Sequence, residues 1–176
     1  MKDKRVIKTQ RSIRNAFISL IKEKNLNQIT VAEISRKAEL GRGTFYLHYK
    51  DLYDLYEHIE DELYNELEEM FDRLYPSCEP TNLKIILENI TEYMETNKDI
   101  FLFLVQQDSN GKKFKSFFNR KVLEISSHDD FSEFNKIEST FIVSGVVGVL
   151  VEWLENGLSM QRDKVSALLY KILLKF

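Results

Sequence analysis

The sequence has little of what breaks a helix. Among its 176 residues the only prolines are Pro76 and Pro80, and there are six glycines. Leu, Ile, Glu, Lys and Asn are plentiful, so helix is favoured nearly throughout and no strand pattern competes with the helical periodicity. The one cysteine, Cys78, excludes an intrachain disulfide and suits a reducing compartment. Long apolar runs are also missing. The longest, Phe141 to Val151, is eleven residues and contains Ser144, Gly145 and Gly148, well short of the roughly 20 that a membrane-spanning helix needs. Met1-Lys2-Asp3-Lys4-Arg5 is not followed by the apolar stretch of a secretory signal. A soluble, cytoplasmic protein with no membrane partner is expected.

What is present is ample apolar content, 43% with 12% aromatic, enough for a packed core. The charge is unevenly spread. Residues 1–50 carry twelve Lys and Arg against four Asp and Glu, whereas residues 51–176 carry thirteen against twenty-four. The net charge of −3 therefore averages a basic head and an acidic body. A basic head suits a phosphate backbone, and an acidic body would be repelled by one.

Periodicity places the elements. Ile13, Phe17, Leu20 and Ile21 predict a helix over 9–24. Thr30 and Glu33 have the spacing of a capping box and open a second helix, with Val31, Ile34 and Ala38 inward. Leu40-Gly41 makes a turn, and a third helix over 42–49 is anchored by Phe45. Asp51 is placed to cap a long fourth helix, along which Leu52, Leu55, Ile59, Leu63, Leu67, Met70 and Leu74 form one stripe. Further helices are expected over 81–96, 98–107, 112–127, 131–156 and 162–176. Between Phe141 and Leu154 apolar residues go all the way round, which reads as burial on every side. Asn156-Gly157 closes that helix. The fold class is all-α, with a three-helix head over residues 1–50 and a body of about six helices over residues 51–176.

The segment from Gly41 to Lys50 is too polar and too glycine-bearing to be core. It reads as a helix built to lie against something outside the protein. Gly43 either leaves the backbone bare for a close approach from outside or is a turn glycine misread as helix, and Arg42 is the residue type best suited to guanine.

Those residues carry a resemblance. Thr30-Val31, Ile34 and Ala38, then Arg42-Gly43-Thr44-Phe45-Tyr46, His48-Tyr49-Lys50-Asp51 and Asp54-Leu55 resemble the helix-turn-helix head of the TetR family of bacterial transcriptional regulators. Two positions depart from the family pattern: Glu39 stands where a turn glycine is common, and Gly41 where Ser or Thr often caps the recognition helix. The stretch from Phe141 to Gly148, continuing through Glu152-Trp153-Leu154-Glu155-Asn156-Gly157, is similar to a subgroup from Gram-positive Firmicutes. The resemblance implies a transcriptional regulator that binds double-stranded operator DNA. Thr30, Thr44, Tyr46, His48 and Lys50 would meet phosphates, and Arg42, with Thr44 and Leu47, would meet bases. Lys2, Lys4, Arg5, Lys8, Arg11 and Arg14 either extend this footprint or form a solvated basic tail.

Genomic specificity needs two heads on a two-fold axis, so a homodimer reading a pseudo-palindrome is expected. Its interface is assigned to Phe141, Gly145, Gly148, Val149, Glu152, Trp153, Leu168 and Ile172, the alternative being a core internal to one chain. The family generally senses a small molecule in the body. Here Phe71, Tyr75, Tyr93, Phe101, Phe103, Phe117 and Phe118 are candidates for a pocket taking a small apolar or aromatic effector, or are plain core. No cofactor or metal is expected.

Two other readings compete. An enzyme would have to use His48, His58, His128 or Cys78, yet no metal-ligand spacing links them. His58 is expected in an ordinary surface contact with Glu62, four residues on. A helical adaptor, whose body binds a partner protein and whose head binds DNA weakly, would be marked by loss of the Arg42 to Lys50 segment. That segment is intact. Repression is favoured over activation because blocking polymerase needs no further surface.

Overall fold

The computed structural model describes residues 4–74, 80–108, 112–126 and 133–175. Lys2, Tyr75, Cys78 and His128 lie outside the described residues. Among the described residues nine α-helices follow in order: α1 Lys4–Ile21, α2 Val31–Lys37, α3 Arg42–Tyr46, α4 Leu52–Leu74, α5 Pro80–Thr96, α6 Lys98–Gln107, α7 Lys112–Ser126, α8 Glu133–Glu155 and α9 Arg162–Leu173. No strand occurs among the described residues, so the protein is all-α. The chain divides into two compact units, Met1–Leu63 and Tyr64–Phe176, and the division falls within α4.

In the first unit Ile13, Phe17, Ile34 and Phe45 are completely buried, so α1, α2 and α3 share one small core. The capping box forms as its spacing predicts: Thr30 Oγ1 accepts from the Glu33 amide, and the Glu33 carboxylate accepts from the Thr30 amide. The first helix begins at Lys4 rather than residue 9, because polar residues can extend a helix without adding to the apolar rhythm. It stops at Ile21, where the Glu23 and Lys24 amides turn back onto the Leu20 carbonyl. The turn after α2 is closed by Leu40 N donating to Ser35 O (2.9 Å) and Glu39 N to Arg36 O (3.2 Å). This pair of bonds defines a left-handed C-cap. Glu39 accordingly has φ 57°, a region that favours glycine.

In the second unit α5 packs along α9, and α7 and α6 pack on α8. The stripe on α4 continues from Leu67 to the buried Phe71, while Met70 is only half-buried. A step of four residues keeps a side chain on the same face better than a step of three at that point. The expectation that α8 is buried on every side does not hold within one chain. Val143, Val147, Leu150 and Leu154 are buried, but Ile137 is 71% exposed, Phe141 65% and Val149 44%. The 19 residues Ile137–Glu155, at mean hydropathy 1.6, are long and apolar enough to cross a membrane by length and composition. The apolar run is shorter because Thr140 and Glu152 bound it, while the wider window tolerates both. The helix ends where Gly157 (φ 67°) and Leu158 (φ 58°) turn left-handed, with Leu158 N donating to Trp153 O at 2.9 Å.

Candidate nucleic-acid interface

Five residues of α3 and the turn after it point outward: Arg42, Gly43, Tyr46, Leu47 and Lys50 are exposed, Leu47 by 82%. Thr44 and His48 are half-buried beside them. The helix ends at Tyr46, three residues sooner than the sequence predicts, and the residues after it turn. Buried Phe45 and Tyr49 hold this segment from beneath. Their rings lie 5.7 Å apart, and Tyr49 meets His58 edge-on at 5.4 Å. Burial, then the nearby Glu62 and Asp54 carboxylates, pushes the Tyr49 hydroxyl up to about 12, which keeps it a neutral packing group. Beyond its own helical backbone and chain neighbours, a Cβ added to Gly43 would meet nothing within 4 Å, so the fold leaves that spot open.

Thr30 is exposed, but its amide and hydroxyl are engaged by Glu33. Lys24, then Thr30, holds the Glu33 carboxyl down to about 2. A phosphate at Thr30 would therefore have to displace a carboxylate that already fills the helix N-terminus.

Nine basic residues of the head sort into two groups. Lys24 pairs with Glu33, Lys37 with Glu23 at 2.8 Å and Arg14 with Glu62 at 3.6 Å. These are ties internal to the head. Lys4, Lys8, Arg11, Arg36, Arg42 and Lys50 hold no ion pair among the described residues. Arg36, exposed in the last turn of α2, was not singled out by the sequence pattern. Only a neighbouring carboxylate, absent there and present for Lys37, separates the two groups.

The expected contact of His58 with Glu62 is not formed, since Glu62 is drawn to Arg14. His58 Nδ1 instead donates to the Asp54 carbonyl (2.8 Å), one turn back. Asp51 caps α4 as its position predicts, Oδ1 accepting from the amides of Tyr53 (2.8 Å) and Asp54 (2.9 Å). Among the described residues no group of three or more His, Cys, Asp or Glu could hold a metal ion.

In the second unit, Gly148, Val149, Glu152, Leu168 and Ile172 line an open groove of about 520 Å³ between α8 and α9. Phe141 and Gly145 are exposed further along the same helix. Trp153 lies buried in the groove floor, its Nε1 donating to Met160 O at 2.8 Å. The aromatics behave differently. Phe71, Phe101, Phe103, Phe117 and Phe118 are buried. Phe71 packs on Phe117 (6.0 Å) and Phe118 (5.7 Å), and Tyr93 packs on Phe101 (5.6 Å). Of the candidate pocket residues, only Phe71 and Phe118 border the apolar cavity of about 100 Å³, whose other walls include Ile86, Ile90, Val143 and Val147. Tyr93 borders a separate, polar cleft with Glu66, Arg73 and Glu92.

Residues 81–175 match the family described as the transcriptional regulator C-terminal region of TetR proteins. The chain belongs to the TetR family. Its members are DNA-binding regulators of transcription. An uncharacterised HTH-type transcriptional regulator of Bacillus subtilis, YxbF, is 18% identical over 164 residues, covering 91% of this chain and 43% of YxbF. The chain thus spans under half the length of that relative. Among solved structures, NalD of Pseudomonas aeruginosa, the secondary repressor of the MexAB-OprM multidrug efflux pump, superposes with a TM-score of 0.73 at 18% identity, covering 98% of this chain and 97% of NalD. The regulator FadR from Bacillus subtilis in complex with stearoyl-CoA gives 0.68 at 15% identity, covering 93% and 96%. At such identities the likeness establishes the TetR fold.

Proposed function

We propose that this TetR-family regulator is a cytoplasmic homodimeric repressor that reads a pseudo-palindromic operator. The observation that carries the proposal is the pair of faces left open by one chain. One is the polar surface of α3, with Arg42, Gly43, Thr44, Tyr46, Leu47, His48 and Lys50; the other is the apolar surface of α8 and α9. The groove with Val149, Leu168 and Ile172, continued by Phe141, is the kind of contiguous apolar patch that a soluble chain covers with a partner. A second copy covers it by an isologous contact and places two heads on a two-fold axis, as half-site recognition requires. Tyr46, His48 and Lys50 hold phosphates, and Arg42 reads a base.

Release by an effector is the finer part of the reading. The cavity beside Phe71 and Phe118 is walled by apolar side chains, so the effector is apolar where it is held. FadR's stearoyl-CoA complex is consistent with such chemistry. About 100 Å³ is below the usual range for small-molecule sites, so the aromatic cluster must open to admit more than a fragment.

The test joins three measurements. Light scattering at micromolar concentration is expected to give a dimer. Selection from a random duplex pool is expected to recover an inverted repeat, bound with a steep salt dependence. Reporter expression is expected to rise when the protein is deleted. A stable monomer, or no duplex retained in dilute buffer, sinks the reading; a fall in expression makes the protein an activator.

A further inference from the structure

We propose that Asp54 is a positioning residue for DNA binding, acting through Lys50; the proposal rests on the DNA-binding reading of α3. Helix α3 is only five residues long, Arg42–Tyr46, and the chain turns before α4 begins at Leu52. No helical hydrogen bond therefore fixes Lys50. Its amide donates to Asp54 Oδ2 at 2.8 Å, in the first turn of α4. Asp54 is itself held at two points, and one of its partners is held in turn. Its amide donates to Asp51 Oδ1 (2.9 Å), its carbonyl accepts from His58 Nδ1 (2.8 Å), and the His58 ring stacks edge-on against buried Tyr49. The Asp54 side chain is half-buried, 23% exposed, while the Lys50 end of the bond faces solvent.

Electrostatics argues for geometry as the role of this acid. A carboxylate bonded to the residue that would meet a phosphate opposes DNA binding by its charge. The neighbouring Asp51 already caps α4, so Asp54 is not needed to start that helix. What Asp54 adds is a fixed direction for the backbone at Lys50. A cation held in register with a phosphate binds better than one searching for it, because the ordering entropy is settled before the encounter.

The experiment uses the full chain and a duplex selected from a random pool by the wild-type protein. Asp54→Ala is expected to weaken binding about ten-fold, the size of one lost hydrogen bond to a charged acceptor. Asp54→Asn, which keeps an acceptor and removes the adverse charge, is expected to restore binding to within about three-fold of wild type. Lys50→Ala lowers the salt slope by about one. In the Lys50→Ala background, Asp54→Ala is then expected to do little, because its route to the DNA is gone. Amide exchange at Lys50, read without DNA, is expected to speed up in Asp54→Ala and stay slow in Asp54→Asn.

Equal losses from Asp54→Ala in both backgrounds would mean a structural cap only and overturn the proposal. So would wild-type affinity in Asp54→Ala, or an Asn variant as weak as the Ala variant. A wild type that selects no duplex removes the DNA-binding reading itself. Unchanged Lys50 exchange in a binding-competent protein removes only the role of Asp54.

Discussion

Lys121 of α7 lies buried against Glu68 of α4, with its Nζ 2.8 Å from Oε1. Asp72, one turn further along α4, is a second partner at 3.1 Å. Arg120 forks onto both Glu68 oxygens (3.0 and 2.9 Å) while its guanidinium lies 5.6 Å from the Phe117 ring centroid. Two cations thus meet two carboxylates, and α4 is pinned to α7 in a single register. Apolar packing of Leu67 and Phe71 alone would not fix that register, because it has no direction.

Removing Glu68 leaves the buried Lys121 still paired with Asp72. Glu68→Ala is therefore expected to destabilise the second unit by roughly 1–3 kcal/mol, and the half-exposed Arg120→Ala by under about 1 kcal/mol. Urea titrations of both variants check the ranking. Arg120, then Lys121, holds the Glu68 carboxyl from its ordinary 4.5 down to about 2. A depressed folded-state value means stability that is complete above about pH 4.5 and drains as pH falls toward 2. That acid-limb slope is expected to flatten in Glu68→Gln.

Gly43 separates stability from binding. It sits inside α3 with nothing near its missing Cβ, so Gly43→Ala should stabilise the head by roughly 0.5–1 kcal/mol. The same methyl projects from the face assigned to DNA and is expected to weaken operator binding. Thermal melts and gel-shift titrations should therefore move in opposite directions. Parallel movement would place Gly43 away from the duplex.

Glu39 carries a left-handed φ of 57° at the close of α2. Glu39→Gly is expected to raise stability by roughly 0.5–1 kcal/mol, since glycine adopts this conformation without a Cβ penalty. A loss of stability on thermal melting would show that the Glu39 side chain makes a compensating contact.

Leu168 is 49% exposed beside the groove. Leu168→Arg should leave the helix content of one chain unchanged, because the side chain already meets solvent. Two buried arginines facing each other across a two-fold seam are expected to weaken association by at least about 100-fold, a hot-spot effect. Sedimentation against concentration measures it, and an unchanged dimer would move the interface off this face.

The local chemistry of the chain was legible in its order of residues. Thr30 with Glu33, Asp51 before Leu52, and Gly157 after α8 set helix ends through bonds spanning a few positions, and such bonds form wherever the spacing exists. The spacing of Phe17, Ile34 and Phe45 likewise marked the core of the head. Partnership across the fold was not legible. Glu62 goes to Arg14 instead of His58, Asp54 takes the Lys50 amide, and Lys121 is buried although nothing in its neighbourhood announces it. Periodicity records which face of a helix is apolar, and only tertiary packing decides which apolar face is covered. For that reason α8 reads as buried all round in sequence yet presents Phe141 and Val149 outward in space.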